Sequence, residues 1–201
     1  GTEDAQVTAD EAHSGSNSLY FEVGSSGQGP QDVVLDFGGL HTEDIFKFEA
    51  YFYIPDGNAA YFNFQGAETI GTTWAIDVYM NNDGSLAVSE SGANKVLTTY
   101  PVDQWFKVEF DINLTLNVWE FLLDDVSEGT WVNIVNQVSM ADFFPATADD
   151  LWYMDDVSYS IEEYTLPNLN ASVVEISFDA IGVAGQEKSP TITIQNAGAT
   201  E

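Results

Sequence analysis

The chain contains no cysteine and no arginine. Without cysteine there is no disulfide scaffold, no thiolate metal site and no thiol nucleophile. Cationic side chains are scarce altogether. Lys47, Lys95, Lys107 and Lys188 stand against 33 acids, and the formal net charge is −29. Nucleic-acid binding needs a cationic face that displaces counterions, and four scattered lysines do not build one. Anionic membranes and bidentate phosphate capture are disfavoured on the same ground. No apolar run approaches the ~20 residues of a membrane-spanning helix, so membrane insertion is not expected. No stretch of the given sequence has a signal-peptide pattern. No window of about eleven residues keeps a helical period.

What is present is apolar and aromatic material in alternation. Hydrophobic residues make up 44% and aromatics 13%, enough for a sizeable core and too much for a disordered acidic chain. Most of the acids read as solvated surface. Their excess fits a divalent-cation binder, a salt-adapted exported protein, or both. Phe46, Phe48, Ala50, Phe52 and Ile54 share one parity, with Lys47, Glu49, Tyr51 and Tyr53 on the other. Residues of one parity face one side of a strand, so Asp44–Ile54 is expected to be a strand with one buried face. Ser18–Val23, Gln31–Phe37, Ala59–Gln65, Trp74–Met80, Ser85–Ser89, Lys95–Tyr100, Trp105–Ile112, Val118–Leu123 and Gly129–Val138 read the same way, with Asp142–Asp150 as loop. Asn81-Asn82-Asp83-Gly84 and Pro55-Asp56-Gly57-Asn58 are turns by composition. About eleven short strands with turns between them predict an all-β sandwich.

Leu151–Glu163 poses a specific problem. Leu151, Tyr153, Val157, Tyr159 and Ile161 share a parity, and Asp155 falls on it too. An acid on the apolar side of a strand must be paired, bound to a metal or sit at an edge, unless a β-bulge rotates it outward or it belongs to a surface carboxylate pair. After Glu163 the composition changes. Residues 164–172 read as a linker, and 173–201 as a short, truncated second β segment. The chain opens at Gly1 without Met and stops in mid-pattern at Ala199-Thr200-Glu201, so it is expected to be a piece of something longer.

Three stretches carry a family resemblance. Ala12–Leu19 (AHSGSNSL) resembles the A-x-S-G-x-x-S-L stretch of the concanavalin A-like jelly-roll superfamily. That superfamily includes laminin-G-like domains, MAM-type adhesion domains and many carbohydrate-binding modules. Tyr100–Asp124 resembles its tryptophan-bearing hairpin, and Trp152–Val157 (WYMDDV) its closing strand. The resemblance covers residues 1–163 and implies a jelly-roll β-sandwich of two antiparallel sheets. Residues 173–198 resemble the opening of an immunoglobulin-like module of the abnormal-spindle/Hydin type. Modules of that kind imply a secreted or cell-surface multidomain protein, bacterial by analogy.

The resemblance also implies a structural Ca2+ tying the N-terminal segment to the closing strand. Calcium takes roughly 6–8 oxygen ligands. The matching positions are Asp155, Asp156, Ser16, Asn17 and Asp4, with Ser14 and the other early acids nearby. From the residues themselves, the parity opposite the phenylalanines offers Tyr51, Tyr53, Tyr61, Asn63, Gln65, Asp77 and Tyr79. Rings beside amides and carboxylates are what a polyhydroxylated sugar needs. The expected function is therefore non-catalytic carbohydrate binding, with a polysaccharide or glycoconjugate as partner. An adhesion module that binds another surface protein is the alternative. A polysaccharide-degrading enzyme is third, because Glu109-x-Asp111 matches only part of the glucanase E-x-D-x-x-E strand. Retaining glycosidases need two carboxyls about 5 Å apart, and Leu114 stands where the second acid belongs.

Overall fold

The computed structural model describes residues 4–166 and the backbone of two further strands, 171–177 and 191–196. No described residue is helical. Residues 4–166 form β1 (Gln6–Thr8), β2 (Ser18–Glu22), β3 (Val33–His41), β4 (Ile45–Tyr53), β5 (Ala60–Gln65), β6 (Trp74–Met80), β7 (Ser85–Glu90), β8 (Ala93–Thr99), β9 (Trp105–Asn113), β10 (Val118–Leu123), β11 (Val126–Trp131), β12 (Val138–Phe143) and β13 (Leu151–Glu162). One sheet has seven strands in the order β1-β2-β13-β4-β9-β10-β11. The other has six, β3-β12-β5-β6-β7-β8. Neighbours are antiparallel. The late strands insert among the early ones, β13 between β2 and β4 and β12 between β3 and β5, which gives a jelly-roll β-sandwich.

The alternation explains the core. Along β4 the even-numbered Phe46, Phe48, Ala50 and Phe52 are buried and the odd-numbered positions are partly exposed. On β9, Phe106, Val108, Phe110 and Ile112 are buried in the same way. Phenylalanines from the two sheets meet in the middle. Phe64 lies 5.2 Å from Phe48 and 5.0 Å from Phe110, both edge to face. Burying each such ring stabilises the sandwich by roughly 1.5–3 kcal/mol.

Two strands break the simple parity. The alternation along Leu151–Glu163 assigns Leu151, Tyr153 and Asp155 to the core side. In the structure Trp152 and Met154 are the buried residues, and Asp155 lies on the outer face. Asp155 pairs with Tyr51 and Ser158 with Glu49, so Asp156 and Val157 together oppose Ala50. That is a β-bulge, and Asp156 has the positive φ of 47° that goes with it. One extra residue inverts every later side chain. Val157 accordingly packs on the core, and Tyr159 reaches Phe37 at 5.0 Å. On β6, Phe64 pairs with Ile76 and Gln65 with Trp74, skipping Ala75. Ala75 is buried, and Trp74, expected on the apolar side with Ile76, is 45% exposed.

The strand expected over Gly129–Val138 is interrupted. β11 ends at Trp131 and β12 begins at Val138. The residues between cross from one sheet to the other, their backbone held by side chains. Asn133 N–H donates to Asn117 Oδ1 at 3.0 Å and Val135 N–H to Glu90 Oε1 at 3.0 Å. Asp142 and Phe143, expected in a loop, finish β12.

The chain divides into two compact units, Gly1–Tyr164 and Thr165–Glu201. In the second, β14 (Ala171–Ser177) and β15 (Thr191–Asn196) form an antiparallel pair. The rest of 173–198, the stretch that resembles the opening of an immunoglobulin-like module, lies outside the described residues.

Candidate functional site

The seven tyrosine-sheet positions expected to bind ligand divide between the two sheets. Tyr51 and Tyr53 are on β4, whereas Tyr61, Asn63 and Gln65 are on β5, and Asp77 and Tyr79 on β6. They do not line one surface.

On the seven-stranded sheet, Tyr51 is covered. The His13 ring stacks on it at 3.6 Å and 15°, and tilts toward Trp105 at 5.7 Å. Tyr53 packs in an aromatic group with Trp105 and Tyr153. His13 is held in place by the bulge of β13. Asp155 Oδ2 accepts the backbone N–H of His13 at 2.9 Å and of Ser14 at 3.0 Å. Asp155 Oδ1 accepts the N–H of Asp156 at 2.8 Å. Asp156 Oδ1 accepts Ser14 Oγ–H at 2.7 Å, and its Oδ2 lies 2.7 Å from His13 Nδ1. The His13 contact, followed by the Ser14 hydroxyl, holds the Asp156 carboxyl below the usual carboxylate range.

This clip occupies the place where a calcium is expected. All four carboxylate oxygens of Asp155 and Asp156 meet N–H, O–H or imidazole groups. The Asp4 backbone carbonyl accepts from Gln31 Nε2 at 3.3 Å. Among the described residues no three His, Asp or Glu side chains gather to hold a metal. Asp155→Ala removes the acceptor of three backbone donors, His13, Ser14 and Asp156, and is expected to cost about 1–3 kcal/mol. A thermal melt measures it, and hydrogen exchange should rise first at His13 and Ser14.

The site on the six-stranded sheet is open. β5 turns Phe62 and Phe64 to the core and Tyr61, Asn63 and Gln65 outward. Across the ladder Tyr61 faces Tyr79, Asn63 faces Asp77 on one side and Asp142 on the other. Loops rise around this floor, contributing Gln28, Asp32, Ile70, Gly71, Phe144 and Ala146, and enclose a hollow of about 500 Å³ with Trp74 at its wall. A smaller hollow of about 140 Å³ adjoins it, bounded by Asn82 and Asp149, and shares Tyr61 and Tyr79. Tyr79 is 39% exposed and lies 5.1 Å from Tyr61. The two rings and Trp74 offer apolar faces to an occupant.

The polar groups of this hollow are held from beneath. Gly71 N–H donates to Gln65 Oε1 at 3.0 Å, Gln65 Nε2 donates to Asn63 Oδ1, and Asn63 Nδ2 donates to Asp142 Oδ2 at 3.0 Å. Asn63 and Gln65 are buried by their neighbours. They are therefore supports rather than the contact residues the alternation assigns. Tyr61 donates its hydroxyl to Asp77 Oδ1 at 2.6 Å. Burial, and then the bond to Asp77, push the Tyr61 hydroxyl far above its ordinary range, so it stays protonated and oriented. Burial raises Asp77 as well, against the opposing pull of Tyr61. Asp142 is pushed up to about 6, chiefly by burial and further by the Asp32 carboxyl beside it, while Asn63 pulls it down.

Sequence reasoning missed Trp74, Asp32, Asp142, Gln28 and Phe144. A bulge conceals Trp74. The others come from loops or from the end of a strand read as loop, and no local pattern marks them.

Glu109 and Asp111 lie over the other sheet. A polar hollow of about 330 Å³ there is bounded by Lys47, Glu49, Glu109, Asp111 and Ser158. Glu109 faces Glu49 across the ladder and lies 3.1 Å from Lys107 Nζ, which also binds Asp125 at 2.6 Å. Leu114, at the place of the missing acid, is buried in the core.

No protein-family model and no curated protein sequence matches the chain. Solved structures do share its fold. A sialidase is 13% identical with a TM-score of 0.55, over 78% of this chain and 16% of that one. The binding domain of botulinum neurotoxin serotype G is 9% identical with a TM-score of 0.53, over 81% and 44%. A carbohydrate-binding module from Bacillus subtilis is 12% identical with a TM-score of 0.51, over 79% and 93%. The chain thus spans under half of the first two. At these identities the likeness establishes the jelly-roll sandwich and nothing narrower.

Proposed function

We propose that the chain is a non-catalytic carbohydrate-binding domain whose ligand lies across the outer face of the six-stranded sheet. One observation carries this reading. Trp74, Tyr61 and Tyr79 present ring faces beside fixed polar groups in two adjoining hollows that share both tyrosines. Sugar rings have one apolar face and a rim of hydroxyls, so they need stacking surface and directional acceptors together. Two hollows in a row fit a chain of sugar units better than a single one. The likeness in fold to a carbohydrate-binding module supports the reading without deciding it. We further propose that the domain belongs to a secreted or cell-surface multidomain protein, its acidic surface keeping it soluble and apart from other copies.

Calorimetric titration against a panel of soluble oligosaccharides tests this. Tyr79→Ala and Trp74→Ala are each expected to weaken binding by ~1–2 kcal/mol, roughly tenfold. Tyr51→Ala, beneath His13 on the other sheet, is expected to leave affinity unchanged. Loss of binding in Tyr51→Ala, with Tyr79→Ala silent, would move the site to the seven-stranded sheet. Binding to a protein partner alone, with no sugar bound, would replace the reading with adhesion.

A further inference from the structure

The hollow over β5 has an unusual balance of charge, and it narrows the ligand. Its lining includes Asp32 and Asp142 and no cationic side chain. Among the described residues the three lysines are all engaged elsewhere: Lys47 with Glu162, Lys95 with Glu90, and Lys107 with Glu109 and Asp125. Asp142 accepts from Asn63 on one oxygen, and a hydrogen bond with the Asp32 carboxyl draws a proton onto the pair. Two carboxyls in such contact repel when both are ionised. Burial and Asp32 are why the Asp142 carboxyl sits at about 6.

Resting on the carbohydrate reading above, we propose that this hollow selects a saccharide carrying a free amine, its ammonium seated between Asp32 and Asp142 against the Tyr61, Tyr79 and Trp74 rings. An ammonium brings three donors and one positive charge. It donates to the carboxyls and offsets the repulsion between them, whereas a hydroxyl donates one hydrogen bond and brings no charge. Aromatic faces around a desolvated cation add cation–π attraction. The surrounding charge of −29 raises the local concentration of cationic ligands. A sugar acid meets the reverse: two like charges and no counter-charge. An N-acetylated amine has lost both the charge and two of its donors.

The test compares three oligomers of one length and linkage by calorimetric titration of the full chain: β-1,4-linked glucosamine, N-acetylglucosamine and glucose. The glucosamine oligomer is expected to bind ~10-fold tighter or more, the scale of one charge-assisted hydrogen bond. Asp142→Asn and Asp32→Asn should abolish that preference, while Tyr79→Ala weakens whatever binds. Asp111→Asn, on the other sheet, controls for bulk charge and should leave the preference intact. If Asp111→Asn erodes it as much as Asp142→Asn, the attraction is general and the proposal falls. Equal or tighter binding of the neutral oligomers overturns the amine assignment and keeps the carbohydrate reading. Binding of none of the three overturns the amine assignment, and the wider oligosaccharide panel then decides the carbohydrate reading.

Discussion

Glu90→Ala is expected to destabilise the first unit by about 3–5 kcal/mol, the range for breaking a buried ion pair. Glu90 is 1% exposed at the end of β7. Lys95 Nζ lies 2.9 Å from its Oε2. Its Oε1 accepts the backbone N–H groups of Ile134 and Val135. Those residues belong to the crossing between the two sheets, where no strand partner is present to take their donors. Removing the carboxylate therefore strands two amides and a lysine at once. Asn133, which donates to the Ala75 carbonyl at 2.9 Å, ties the same crossing to β6 and so to the neighbourhood of Trp74. Glu90→Gln keeps an acceptor for the amides and should cost less than Glu90→Ala. Denaturant unfolding of the two variants checks the order. Equal, small losses would mean that the crossing is held by its other contacts.

Phe62→Ala is expected to cost about 3–5 kcal/mol as well, by a different route. The ring is fully buried on β5 and meets Phe52 at 5.6 Å, Phe143 at 5.5 Å and Phe48 at 6.0 Å. Truncation leaves a cavity among rigid rings that cannot collapse into it. For a unit of this size the melting temperature should fall by roughly 10 °C or more. Phe62 lies between Tyr61 and Asn63, whose side chains point the other way. Titrations well below the melt should accordingly lose less affinity in Phe62→Ala than in Tyr79→Ala. A melting temperature unmoved by the change would show the core to be far more plastic than its packing implies.

These two residues differ in how much of their role can be read from the sequence. Phe62 is legible, since strict alternation with Phe64 marks one face of a strand that must be buried. Glu90 is not, because the backbone amides it holds, Ile134 and Val135, lie 44 and 45 residues away in a crossing between sheets. The same contrast runs through the site. Tyr61 and Tyr79 are recognisable as outward residues of alternating strands. Trp74 and Asp155 are not, and for one reason. Each adjoins a bulge, and a single added residue reverses the face on which its neighbours emerge. No turn residue or proline in the sequence announces either bulge. The closing strand shows the consequence. Its paired acids tie down His13 and Ser14 by hydrogen bonds, in the place where resemblance leads one to expect a calcium.

Composition and period thus determined on their own that this is an all-β sandwich with a phenylalanine core. Those properties follow from the pattern of apolar and charged residues along the chain. Only the tertiary structure decided which sheet each strand joins. Tyr51 was thereby separated from Tyr61, Asp142 brought beside Asp32, and the open aromatic surface placed over β5 and β6. Sheet membership depends on pairings between distant strands and on bulges that shift their register, and neither leaves a local trace in the sequence.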